Sequence, residues 1–169
     1  MNDNIRKILF AILIFVLQVV ICDYVNLGPY VYICLLPLIF IIIPRSLDVK
    51  LLMLIGFGAG ILLDLMSDGV VGLNAAASVL SASFTKFFYG IFIGGDRQDT
   101  VTIPTPSNAG WARYLKFVSA VVLLYMFVYV IFDGFGYRPF FFLLLRLVAS
   151  VVANVVLISL ISSSILDRD

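Results

Sequence analysis

The chain has 169 residues, of which 63% are hydrophobic and only 12% are charged, and its mean hydropathy is +1.15. These values exclude a water-soluble globular domain, and the net charge of +1 excludes the basic bias that is typical of nucleic-acid binding. The chain has no histidine and two cysteines, so we predict neither a metal site nor a bound cofactor. The composition therefore indicates an integral membrane protein.

Long apolar stretches separated by polar residues predict one all-α transmembrane domain, residues 1–169, with a bundle of about six helices. Their approximate limits are 5–25, 29–43, 49–65, 70–93, 114–132 and 140–166. The first predicted span has one strongly polar interior residue, Gln18. The second is short and contains Pro37, which removes a backbone donor and bends a helix.

The third predicted span combines small residues with an acid at its far end. Gly56, Gly60 and Asp64 are four residues apart, so they share one face of a helix that a neighbouring helix can approach closely. That neighbour is either another span of this chain, which we favour, or a span of a partner. The fourth span, which contains Asn74 and Lys86, is the least hydrophobic and should face protein, with the Lys86 ammonium reaching the interface.

The connection from Gly94 to Gly110 contains several charges and prolines, which predict an irregular loop. In the sixth predicted span, Arg146, Ser150 and Asn154 follow one another at intervals of four and form a polar stripe. Because a charge within a bilayer needs a partner, we predict an ion pair between Asp64 and Arg146. The pair either has a structural role only or, together with Asn74, lines a small site for a solute or a partner.

The basic residues predict the orientation of the chain, because loops on the cytoplasmic side are enriched in lysine and arginine. One side carries Arg6, Lys7, Arg45, Lys50, Arg97, Arg113, Lys116 and Arg168. The other side carries Arg138 alone. Both termini are therefore predicted to be cytoplasmic.

Enzymatic function is the weakest class, because no pair of a nucleophile and a base can be assembled from the residues at membrane depth. We therefore expect no catalytic residues. The candidate residues are structural or bind a partner: Gly56, Gly60, Asp64, Gly72, Asn74, Arg146 and Asn154.

Residues 56–75, GFGAGILLDLMSDGVVGLNA, resemble the bacterial rod shape-determining protein MreD family. In that family a glycine-rich span leads to an aspartate, and after a short turn Gly-Leu and small residues open the next helix. The residues that match this pattern are Gly56, Gly60, Asp64, Gly72, Leu73 and Ala75. Chain length, span number and predicted orientation also agree.

The resemblance implies a non-enzymatic scaffold of the bacterial inner membrane that takes part in cell-wall elongation, rod shape and peptidoglycan synthesis. It implies binding to MreC and, through MreC, to other elongation proteins. The implied fold is similar to that of the substrate-binding components of energy-coupling-factor transporters. The alternative function is therefore that of a substrate-binding membrane component for a small, vitamin-type solute.

Overall fold

The fold is known from a computed structural model that describes residues 3–24, 28–42, 47–67, 70–94, 104–134 and 136–166. All regular secondary structure in these ranges is helical. The helices are α1 (Asp3–Tyr24), α2 (Leu36–Ile42), α3 (Val49–Met66), α4 (Leu73–Phe92), α5 (Pro106–Ala109), α6 (Trp111–Gly134) and α7 (Phe140–Ile161). A π-helical turn, Ser162–Leu166, continues α7.

Four of the described helices are long and apolar enough to cross a membrane. They are Val49–Met66, Leu73–Phe92, Trp111–Gly134 and Phe140–Ser164. Helix α1 contains a shorter apolar stretch, Leu9–Cys22. The all-α fold predicted from composition is confirmed, and the four long helices are compatible with a multi-pass membrane protein.

The second predicted span, 29–43, is not one continuous helix. Its helical part is only α2, seven residues long, and residues 31–35 before it have no regular secondary structure. We call residues 31–35 the extended segment, because the backbone groups of alternate residues bind partners on opposite sides, as in an extended chain. Aromatic and β-branched residues occupy positions 30–33, and Pro37 lies in the first turn of α2, where a proline is tolerated. The prediction of a bent helix was therefore wrong, because the chain begins its helix just before the proline.

Helix α2 lies at the centre of the bundle, and all seven of its residues are buried. It packs against α1, α3, α4 and α6. Around it, α3 packs along α4, α4 along α6, and α6 along α7. The buried side of α6 supplies many of the large core side chains, including Tyr114, Phe117, Tyr125 and Met126.

Part of the predicted irregular loop is ordered and docked on the bundle. Helix α5 begins with a capping box, in which Thr105 Oγ accepts from the Asn108 amide and Asn108 Oδ1 accepts from the Thr105 amide. Residues 104–106 are buried, and α5 packs against α6 and the π-helical turn. The capping residues in this segment were the signal for a short helix. Residues 95–103 lie outside the described ranges.

The Lys86 ammonium donates to the carbonyl of Leu47, two residues before α3 begins. This bond joins α4 to the residues that precede α3. That the Lys86 ammonium reaches the membrane interface stays a prediction. Asp64 and Asn74 lie at the opposite end of this helical pair.

Candidate functional site

Asp64, at the end of α3, binds the beginning of α4. Asp64 is only 1% exposed, and its carboxylate accepts four hydrogen bonds. Oδ2 accepts from the amides of Gly72 at 2.9 Å and Ala75 at 3.2 Å. Oδ1 accepts from the amide of Asn74 at 3.1 Å and from its Nδ2 at 2.8 Å. Asp64 is therefore an N-cap supplied by a different helix, at the end where the helix dipole favours negative charge.

Gly60 allows this contact because it removes the side chain that would separate the two helices. A Cβ at position 60 would lie 2.5 Å from Ala75 Cα and 2.7 Å from the carbonyl carbon of Asn74. One turn earlier, a Cβ on Gly56 would lie 3.2 Å from both the Phe40 ring and the Ser78 carbonyl oxygen. Packing within the chain, the favoured interpretation of these glycines, is what the structure shows at both positions.

Gly72 completes the cap because its backbone has φ = +96°, a value that side chains other than glycine rarely adopt. This conformation ends the turn after α3 and directs the first amides of α4 toward Asp64. The residues in the turn at 68 and 69 lie outside the described ranges. Gly60, Asp64 and Gly72 thus each contribute to the start of one helix.

Asn74 extends this cap into the interior of the bundle. While its Nδ2 donates to Asp64, its Oδ1 accepts from the hydroxyl of Tyr125 at 2.6 Å and from that of Tyr32 at 3.2 Å. The Tyr32 ring is stacked on that of Tyr129, with 3.9 Å between ring centroids and 8° between planes. A chain of hydrogen bonds therefore connects the Asp64 carboxylate, the Asn74 carboxamide and the hydroxyl groups of Tyr125 and Tyr32.

The backbone of Tyr32 connects this network to α7. The Tyr32 amide donates to Ser150 Oγ at 2.9 Å, and Asn154 Nδ2 donates to the Tyr32 carbonyl at 2.8 Å. Asn154 Oδ1 in turn accepts from the Cys34 amide at 2.7 Å. A single carboxamide therefore binds the extended segment at two points, as one peptide unit of a neighbouring β-strand would.

Gln18, on α1, does the same on the opposite edge of the segment. Its Oε1 accepts from the Leu35 amide at 2.6 Å, and its Nε2 donates to the Ile33 carbonyl at 3.2 Å. Non-helical backbone is tolerated at membrane depth only where its polar groups find partners within the protein. Gln18 and Asn154 are such partners, and both are fully buried.

Arg146 does not belong to this network, and the predicted ion pair with Asp64 is not formed. The Arg146 guanidinium instead binds the carboxylate of Asp133 on α6. The physical reason is that the amides of α4 already satisfy both Asp64 oxygens, whereas Asp133 lies near the end of the adjacent helix. The predicted solute pocket of Arg146, Asp64 and Asn74 is therefore not formed, because Arg146 is bound to Asp133.

The candidate residues thus separate into three groups. Gly60, Asp64, Gly72 and Asn74 meet at the start of α4, and Asn154 joins them through Tyr32. Gly56 lies deeper, against Phe40, and Arg146 lies apart with Asp133. The residues that the prediction of sites missed are Gln18, Tyr32, Tyr125, Asp133 and Ser150; two of them, Gln18 and Ser150, had a signal in their polarity within apolar spans.

The arrangement uses its polar groups to hold backbone in place. Every carboxylate and carboxamide oxygen of Asp64, Asn74, Asn154 and Gln18 accepts at least one hydrogen bond. The described part of the chain has no cluster of three or more side chains able to hold a metal ion. Comparisons of the chain with protein-family models, curated proteins and solved structures find no significant match.

Proposed function

We propose that this chain is a non-enzymatic scaffold of the bacterial inner membrane that binds MreC in the cell-wall elongation machinery. The observation that carries the proposal is the internal use of the buried polar side chains. Asp64 and Asn74 fix α4, while Gln18 and Asn154 fix the extended segment. These buried polar side chains bind backbone and side-chain groups of the protein itself. This favours a function that depends on contacts between the surface of the protein and a partner.

The resemblance of residues 56–75 to the MreD family gives the proposal its partner. The structure supplies a physical reason for that pattern, because Gly60, Asp64 and Gly72 together build the turn between α3 and α4.

The proposed topology has six crossings, with both termini on the cytoplasmic side. Its second crossing is formed by the extended segment together with α2. Five extended residues at about 3.3 Å each and seven helical residues at about 1.5 Å each reach roughly 27 Å. This length approaches the thickness of the hydrocarbon core, about 30 Å.

Co-expression with the MreC of the same organism tests the proposed function. The chain carries a C-terminal tag, is extracted in mild detergent, and is purified next to an unrelated single-pass membrane protein as the control. Retention of MreC at a constant ratio, and not of the control protein, is expected. Loss of MreC together with recovery of paired ATPases and a coupling subunit would overturn the scaffold and favour the transporter alternative.

A further inference from the structure

We propose that the turn between α6 and α7 carries a phosphate-binding site, which we call the turn cluster and define as Asp133, Arg138, Phe142 and Arg146. Among the described residues the cluster forms no hydrogen bond with Asp64 or Asn74, and it does not depend on the proposed function. It combines one acid with two arginines, one of which has unused hydrogen-bond donors. The ligand is a phosphate group, supplied by a phospholipid headgroup or by free phosphate.

Arg146 reaches toward the end of the bundle. It is six residues after the first residue of α7, roughly 9 Å along the helix, yet its guanidinium meets Asp133, one residue before α6 ends. The stem therefore carries the charge toward the level of the lipid headgroups, as long basic side chains do near helix ends. Its side chain is 15% exposed and that of Asp133 is 27% exposed.

Asp133 satisfies only part of this guanidinium. The pair is joined through Nη1, whereas Nε is buried and has no hydrogen-bond partner among the described residues. A carboxylate that faces an arginine squarely binds it through two parallel hydrogen bonds, which is the strong arrangement. The single bond here leaves donors of the guanidinium group available to a second anion.

Arg138 brings a second positive charge to the same turn. Its guanidinium carbon is 5.0 Å from the centroid of the Phe142 ring, and its Cγ would lie 3.7 Å from a Cβ at position 134, the residue after Asp133. Within the described ranges it forms no ion pair with an acid. The Phe142 ring orients this exposed cation without neutralising it.

The two arginines and the single aspartate of the turn cluster favour an anionic ligand, and specifically a phosphate group. Two guanidinium groups and one carboxylate leave the turn cluster with a net charge of +1. A phosphate presents several oxygens, which suit the planar guanidinium group, and on this proposal it accepts hydrogen bonds from both arginines. The end of two membrane-length helices is also where phospholipid phosphates lie, so a lipid is the natural source.

The test uses the full-length protein in dodecyl maltoside, a detergent without phosphate. Native mass spectrometry follows the fraction that carries one phosphatidylglycerol as the lipid is titrated, and inorganic phosphate is added as a competitor. The variants are Arg138→Gln, which removes an exposed side chain, and Asp133→Asn, which removes the competing carboxylate. Arg113→Gln is the matched control, because it removes an exposed arginine at the other end of α6.

We expect Arg138→Gln to weaken phosphatidylglycerol binding about tenfold, the loss of one charge-assisted contact. Asp133→Asn should strengthen binding, which a merely structural Arg146–Asp133 pair does not predict. If inorganic phosphate displaces the lipid, free phosphate is sufficient to occupy the site. If it does not, the ligand of the site is the phospholipid. If both variants bind the lipid as the Arg113→Gln control does, the site does not exist.

Discussion

Asp64 and Gly60 act on the same few atoms at the start of α4, one through charge and the other through the absence of a side chain. The carboxylate needs the amides of Gly72 and Ala75 within about 3 Å, and the helices reach that separation because position 60 has no Cβ. Neither residue is sufficient alone. Because both residues are required, we predict that a small substitution at either position lowers the stability of the protein, whereas the same substitution at a control position does not.

Gly60→Ala should destabilise the protein by about 2 kcal/mol or more, because its methyl group would meet the backbone of α4, which cannot move aside. Gly58→Ala is the matched control, since a Cβ there meets nothing within 4 Å. That control should be neutral or slightly stabilising, because alanine favours helices. Thermal unfolding in detergent measures both variants, and equal midpoints would contradict the close approach.

Asp64→Asn should cost about 3 kcal/mol, although it changes the size of the side chain very little. An asparagine can keep one oxygen toward Asn74, but its NH₂ group then faces the amides of Gly72 and Ala75, which are donors themselves. Asp48→Asn is the control: Asp48 caps α3 from an exposed position, where asparagine is an equally good cap. Comparable losses of unfolding free energy in the two variants would argue against the proposed role of Asp64.

At the scale of elements, the extended segment depends on two helices that are distant in sequence. Gln18 binds the edge formed by Ile33 and Leu35, while Asn154 binds the edge formed by Tyr32 and Cys34. The two carboxamides divide the alternating backbone groups of a strand between them. The segment therefore retains its extended form only while both α1 and α7 are in place.

Asn154→Leu should expose Cys34, whose side chain is completely buried. Leucine fills a similar volume but leaves the Tyr32 carbonyl and the Cys34 amide without partners, which favours local opening of the segment. A small, membrane-permeant thiol reagent measures this opening in a Cys22→Ser background, and its rate should rise at least tenfold. Ser163→Ala is the control, because Ser163 bonds only within its own turn; an unchanged rate in Asn154→Leu would refute the role of Asn154.

The sequence predicted the helices well where apolar runs were long and uninterrupted. Its prediction for residues 29–43 was wrong because hydropathy does not distinguish an extended apolar segment from a helix, and the distinguishing contacts come from residues 18 and 154. The Asp64–Arg146 pairing was wrong for a related reason. Opposite charges at a similar depth predict an ion pair. The sequence does not reveal, however, that backbone amides of Gly72 and Ala75 already satisfy the Asp64 carboxylate.

At the scale of the whole molecule, the proposed six crossings make a definite prediction about sides. An epitope tag at the C-terminus and one between Ile42 and Leu47 should both be on the cytoplasmic side, whereas a tag between Tyr24 and Gly28 should be on the other. The reason is that the segment before α2, extended and only a few residues long, reaches about as far as a helix twice its length. Protease accessibility in intact and in permeabilised cells locates each tag, and tags at both ends of α2 on one side would contradict a crossing there.

The hydrogen bonds of the extended segment also determine when, during synthesis, this part of the protein can reach its final structure. Gln18 is synthesised 17 residues before Leu35 and is ready when the segment emerges, but Asn154 follows Cys34 by 120 residues. Until the last helix has been translated and inserted, one edge of the segment has no partner from α7. Synthesis of α7 is therefore the step that completes the hydrogen bonds of the extended segment, and we expect the quality-control proteases of the membrane to degrade a nascent chain that stops before α7.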